Sequence, residues 1–193
     1  MARPKAFDEE VVLDKAVEVF WAKGYEAASI QDLVDAMGIQ RGSMYATFGG
    51  KHQLFLTALD RYGDVVVKKL LEILESKSSA LESIEQFFSQ LVEHSLTAGP
   101  LRGCLVTNSA IERGLSDEDT KQKVLHLLIM IEKEFHQALL RAQNDGEIAK
   151  DSNLISLAEY LTSSMQGLLV MGKVCSERSV LEGIKQMTLS VLK

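Results

Sequence analysis

Leu13, Ala16, Val17 and Phe20 recur at the i, i+3, i+4 and i+7 spacing of one helix face. Asp8, Glu9 and Glu10 precede them, where carboxylates suit the positive end of a helix dipole. A first helix is therefore predicted, ending at Gly24, a residue type that tolerates a left-handed stop. Ser29 and Asp32 form a capping-box pattern ahead of Ile30, Leu33, Val34 and Met37, so a second, short helix runs to Gly38. After the Met37-Gly38-Ile39 turn, a third short helix covers Gln40 to Thr47. Phe48-Gly49-Gly50 then breaks the chain before a longer helix starting near Lys51.

Leu54, Phe55, Ala58, Leu59, Tyr62, Val66, Leu70 and Leu74 extend that helix as one long connector to Ser76-Lys77-Ser78-Ser79. Ser79 with Glu82 caps a helix carrying Ile84, Phe87, Phe88, Leu91 and Val92, which ends by Gly99-Pro100. Leu101 to Ile111 is short and rich in small residues. Ser116 to Asp119 opens a strong helix through Val124, Leu127, Leu128, Ile131, Phe135 and Leu139 to Asp145-Gly146. Leu154 to Val174 and Ser179 to Leu192 complete the chain, with no solenoid repeat. Only Pro4 and Pro100 interrupt it, so the predicted fold is all-α. It comprises an N-terminal three-helix unit and a larger C-terminal helical bundle.

Composition narrows the class. With 193 residues, 46% hydrophobic and 25% charged, the chain can bury its own core and is not disordered. The uncharged run from Tyr160 to Gly172 spans 13 residues with four polar ones, short of the roughly 20 apolar residues of a membrane span. The polar N-terminus does not read as a secretory signal, so a cytoplasmic location without membrane contact is expected. Cys104 and Cys175 are isolated and expected to be reduced thiols. The net charge of −6 does not by itself suggest a nucleic-acid partner.

Two short helices joined through a glycine turn and braced by an amphipathic helix suit a helix-turn-helix, whose second helix enters the major groove. A helical hairpin inside a bundle has the same apolar pattern. What separates the two readings is the small, polar start Gln40-Arg41-Gly42-Ser43, which lets a helix N-terminus approach a base edge or phosphate.

The run Gly24-Tyr25-Glu26-Ala27-Ala28-Ser29-Ile30, then Ile39-Gln40-Arg41-Gly42-Ser43-Met44-Tyr45, then Phe48 and Lys51, closely resembles the N-terminal signature of TetR-family transcriptional repressors. The resemblance covers about Phe7 to Leu59; beyond it the chain matches in length and helicity. It implies a helix-turn-helix domain over residues 1–51 and a ligand-binding and dimerisation domain over residues 52–193. Arg41 and Ser43 then face bases or adjacent phosphates, and Gly42 lies between them; an arginine can donate twice to guanine. Gln40 replaces the common serine or threonine, and its amide can read adenine or simply remain solvated. Tyr45 and Lys51 match phosphate-binding positions, and Thr47 stands where many members carry histidine. Ile39, Phe48, Phe20, Leu33 and Val34 are assigned to the small core, and Trp21 to partly exposed packing. Residues 1–51 hold six Lys or Arg against eight Asp or Glu, a formal −2. Binding is thus expected to be salt-sensitive with modest non-specific affinity.

The resemblance further implies a homodimer through the last two helices, reading half-sites on double-stranded operator DNA roughly 34 Å apart. A small-molecule effector would lie in the bundle, with Phe87, Phe88, Leu91, His94, His126, Met130, Phe135 and Tyr160 as candidate wall residues. Each is equally explained by ordinary core packing. The four histidines lack a close pair or a neighbouring carboxylate cluster, so no metal site is expected, and neither is a cofactor. No nucleophile, base and oxyanion donor converge in sequence, which argues against an enzyme. Cys104 follows Gly103, with Arg102 two positions away, at a helix start. Such a setting favours thiolate and suits an electrophile or oxidant sensor, although free cysteines are commonly inert core residues. An alternative of a different class is a helical interaction module without DNA binding.

Overall fold

The computed structural model describes residues 7–97 and 102–193. The expected helix end at Gly99-Pro100, Pro4 and the basic Arg3 and Lys5 lie outside the described residues. Helix α1 (Glu9–Ala27) opens on Asp8, whose carboxylate accepts from the N–H groups of Glu10 and Val11 at 2.9 and 3.4 Å. Helix α2 (Ile30–Met37) carries the complete Ser29/Asp32 capping box and stops at Gly38 with φ 67°. Helix α3 (Arg41–Phe48) follows, then α4 (Lys51–Tyr62). Phe20, Leu33, Met37, Met44, Leu54 and Phe55 form the small core, in which Phe20 meets Phe55 edge to face at 5.0 Å. Met44 is the fully buried residue that pins α3 to it.

Gly24 interrupts α1 rather than ending it. Its φ of 79° and ψ of 177° suit glycine alone, and helical backbone resumes over Tyr25 to Ala27. The predicted single connector after Lys51 is also irregular. Beyond α4 the chain makes a π turn over Gly63–Val67, a short α5 (Lys68–Leu71) and a 3-10 turn over Glu72–Glu75. Gly63 lies so close to α8 that a Cβ would fall 2.5 Å from Leu127 Cδ2. The wider turn rotates the following residues, bringing Val66, Val67, Leu70 and Leu71 around a cavity.

The C-terminal part comprises α6 (Ala80–Thr97), α7 (Leu105–Arg113), α8 (Glu118–Asn144), α9 (Leu154–Met171) and α10 (Arg178–Ser190). Ser79 Oγ accepts from Glu82 N–H at 3.1 Å, but the carboxylate that receives Leu81 N–H at 2.8 Å is Glu147, beyond α8. Phe87, Phe88 and Phe135 form an aromatic knot with centroids 5.0 to 5.9 Å apart, binding α6 to α8.

Replacing Gly24 by alanine should cost about 1–3 kcal/mol through backbone strain alone. The new Cβ would also meet Glu112 Oε2 at 2.8 Å. A fall in the urea midpoint at unchanged m-value checks this; an unmoved midpoint contradicts it.

Candidate DNA-reading helix and effector cavity

The residues proposed from sequence gather at the start of α3 and the α3–α4 junction. Gln40 precedes the first turn and its side chain makes no capping bond, so it stays exposed with Arg41 and Gly42. Ser43 and Thr47 are half-buried, while Tyr45 keeps 42% of its surface exposed. The Arg41 guanidinium lies 5.8 Å from the Tyr45 ring centre. Gly49 and Gly50, with φ of 80° and 142°, turn the chain under Tyr45, where a Cβ on Gly50 would sit 3.7 Å from the ring. Half-buried Lys51 rests its Nζ 4.5 Å from the centre of the Tyr25 ring and 3.4 Å from the Glu26 carbonyl oxygen.

The acidic balance of this region has a structural resolution. Five of its eight acids are occupied by cations: Asp32 by Lys23 at 2.6 Å, Asp14 and Glu10 by Arg61 at 2.7 and 3.1 Å, Glu18 by Arg102, and Glu26 by Arg113 at 2.6 Å. The Lys23 hydrogen bond, with the Ser29 cap, holds the Asp32 carboxyl well below the usual range. Three of the four cations come from beyond residue 51. Among the described residues neither Arg41 nor Lys51 has an acidic partner, so no carboxylate compensates either charge.

Sequence reading missed the seam that joins these helices to the rest. Glu112 at the end of α7 accepts the Tyr25 and Glu26 N–H groups, each at 2.9 Å, just after the Gly24 break. The Arg113 guanidinium lies 4.5 Å from the Tyr25 ring centre. His52 Nδ1 is 3.4 Å from Asp117 Oδ2 and its Nε2 is 3.5 Å from Asp119 Oδ2. The expectation that no carboxylates gather at a histidine is thereby corrected, because the fold brings in two from the start of α8. Each ring nitrogen faces a different acid, and Asp117 already accepts from Arg113 and Thr120. This is the geometry of an ion-pair seam. Partners 65 to 87 positions apart give no local pattern from which it could be read.

A cavity of about 620 Å³ lies between the end of α4 and its continuation, α6, the Gly103-Cys104 segment that leads into α7, α8 and α9. Of the candidate wall residues, Phe87, Leu91 and His94 line it, and so does Cys104, the ligand-site candidate proposed as a sensor. Phe88 and Phe135 are fully buried in the aromatic knot, Met130 is packed against the core, and His126 is exposed on α8. Tyr160 sits elsewhere, in a shallow groove between α9 and α10. Tyr62, unforeseen, donates its hydroxyl to Cys104 Sγ at 3.6 Å, and burial pushes its phenol well above the ordinary value. Arg102, expected to act on the thiol, is turned to Glu18. Trp21 does more than pack: its indole N–H donates to the Gly103 carbonyl at 2.9 Å, and its ring meets Tyr62 at 5.1 Å and stacks on His94 at 6.0 Å.

Helices α2 and α3 across the Gly38 turn, with a polar face at the start of α3, define a helix-turn-helix DNA-binding protein. Comparison with known proteins gives the family. Residues 12–58 match the bacterial regulatory proteins of the tetR family, and residues 80–188 match the tetracyclin repressor-like C-terminal domain. The uncharacterized HTH-type transcriptional regulator YezE of Bacillus subtilis (strain 168) is 35% identical over 193 residues, covering 100% of both chains. The HTH-type transcriptional repressor ComR of Escherichia coli (strain K12) is 31% identical over 192 residues, covering 99% of this chain and 90% of that one. A solved structure of the TetR family regulator CifR, a cysteine mutant complexed with 26-bp double-strand operator DNA, has a TM-score of 0.88 at 30% identity. It covers 99% of this chain and 100% of that chain. The chain belongs to the TetR family of transcriptional regulators, which are DNA-binding proteins and not enzymes. Among the described residues no helix is long and apolar enough to cross a membrane.

Burial lowers the affinity of His94 for a proton. The unfolded chain, free of that burial, takes up the proton near pH 6.5, so stability is full above this pH and falls as pH drops through it. His94→Gln is expected to flatten the fall in urea midpoint between pH 7.5 and 5.5; an unchanged slope contradicts the assignment.

Proposed function

We propose that the chain acts as a ligand-released repressor: a cytoplasmic homodimer that places α3 of each subunit in successive major grooves of its operator. The observation that carries this is that exposed Arg41 and half-buried Lys51 have no carboxylate partner among the described residues, beside acids that other cations occupy. Arg41 reads a guanine edge and Gln40 and Ser43 adjacent groups, with Gly42 allowing close approach, while Tyr45, Thr47 and Lys51 bind phosphates. Residues 1–51 form the reading domain and 52–193 the regulatory one. The CifR complex with operator DNA supports this reading.

The partner surface is the α9–α10 face. Val170, Met171, Val180, Met187 and Val191 are each at least 38% exposed there, around a groove floored by Gly167 and Gly183, where added Cβ atoms would meet nothing within 4 Å. A second copy of the chain would cover this apolar strip, as in a four-helix interface.

The effector is a small, mainly apolar molecule with a hydrogen-bonding group, matching a cavity walled by Phe87, Leu91 and Met165 and carrying Tyr62, Gln90 and His94. A second reading has the effector bind covalently to Cys104, supported by the thiol's place in the cavity wall against Tyr62. Cys104→Ser leaving effector release unchanged would remove that reading and keep the first.

Selection from random-sequence DNA by the purified chain is expected to enrich a two-fold symmetric site. Arg41→Ala should then cost about 1–3 kcal/mol and relax preference at one position, whereas Lys51→Ala should weaken all sequences alike and reduce the salt slope. Unaltered binding by both variants would favour a helical interaction module instead. The cavity is checked separately with the fluorescent probe N-phenyl-1-naphthylamine: the parent should bind it, and Leu91→Trp, which fills the space, should not.

A further inference from the structure

Glu26 places an acid beside the lysine assigned to the operator backbone. Lys51 Nζ already touches the Glu26 carbonyl oxygen at 3.4 Å. The carboxylate of the same residue is exposed, and a change of rotamer could bring it to the ammonium. Instead it is held by Arg113, whose Nη1 binds Glu26 Oε1 at 2.6 Å. Arg113 is well anchored for this role. Its Nη2 donates to Asp117 at 3.2 Å, its guanidinium covers Tyr25, and its side chain is only 19% exposed.

We propose that Arg113, a residue of the C-terminal part, is a positioning residue for operator binding: by occupying the Glu26 carboxylate it leaves Lys51 free to meet a phosphate. The inference rests on the reading of Lys51 as a phosphate contact. It also gives the effector an electrostatic route to release. Helix α7 carries Arg113 at one end, and at the other Gly103 and Cys104 line the cavity. A ligand that displaces the cavity end of α7 withdraws Arg113 from Glu26. The freed carboxylate then captures Lys51, and the operator loses a cation in each subunit. Rigid displacement of α3 is not required for this loss.

The test uses the full chain and a duplex carrying the site selected by the parent protein, with affinity followed across salt concentrations. Arg113→Ala and Arg113→Gln should each lower the salt slope by about 0.9 per subunit, the worth of one phosphate contact. Lys51→Ala should do the same, and adding it to Arg113→Ala should give no further loss. Adding Glu26→Gln to Arg113→Ala should restore both slope and affinity, since the neutral amide no longer competes for the ammonium. A merely structural role for Arg113 would not be rescued this way, and urea midpoints report folding of each variant. The proposal is overturned if Lys51→Ala changes the slope while the Arg113 variants do not, or if Glu26→Gln fails to rescue. If Lys51→Ala itself leaves the slope unchanged, the phosphate reading falls and this inference with it.

Discussion

At Gly24 the first helix breaks, and the two backbone N–H groups that follow find their acceptor in another part of the chain. The Glu112 carboxylate at the end of α7 receives the Tyr25 and Glu26 amides at 2.9 Å each. A charged acceptor makes these bonds stronger than neutral ones, and it fixes the last turn of α1 against α7. Tyr25, so placed, has the Lys51 ammonium and the Arg113 guanidinium each 4.5 Å from its ring centre. One glycine conformation therefore sets the surroundings of a proposed DNA contact and of the helix that could control it.

The opposite end of α7 meets α1 a second time. Trp21 donates to the Gly103 carbonyl and packs on Tyr62 and His94, which line the cavity. Trp21 thus backs three residues of the cavity wall, Tyr62, His94 and Gly103, from the α1 side. The π turn beyond α4 belongs to the same arrangement, since it directs Val66 and Val67 at the space and keeps Gly63 tight against Leu127. Such turns commonly mark functional sites within helices. Allosteric coupling needs two sites and an element whose position both affect; α7 is held at both ends, by Glu112 and Arg113 at one and by the Trp21 bond to Gly103 at the other.

The local parts of this design were legible in the sequence. Ser29 with Asp32, the glycine turn at Gly38, and the small polar start of α3 are encoded by neighbours three or four residues apart, and the structure contains each of them. The cap at Ser79 was only half legible, because its carboxylate, Glu147, arrives from beyond α8. The seam was not legible, since Glu112, Arg113, Asp117 and Asp119 reach Tyr25, Glu26 and His52 across more than sixty positions. Helical periodicity marks which side chains turn inward but not which of them stop at a cavity. Phe87 and Phe88 are adjacent and equally buried, yet only the first lines the space. Formal charge misled for a related reason: acids counted against DNA binding are neutralised by Arg61, Arg102 and Arg113 from outside the reading helices.

The most direct measurement of this joint is amide hydrogen exchange at Tyr25 and Glu26, in the parent chain and in Glu112→Ala. The account requires both amides to be protected in the parent and to exchange like open backbone in the variant, with protection at Leu33 and Met44 retained. Equal rates at Tyr25 and Glu26 in the two proteins would contradict it, because the reading helices would then be held by something other than the carboxylate at the end of α7.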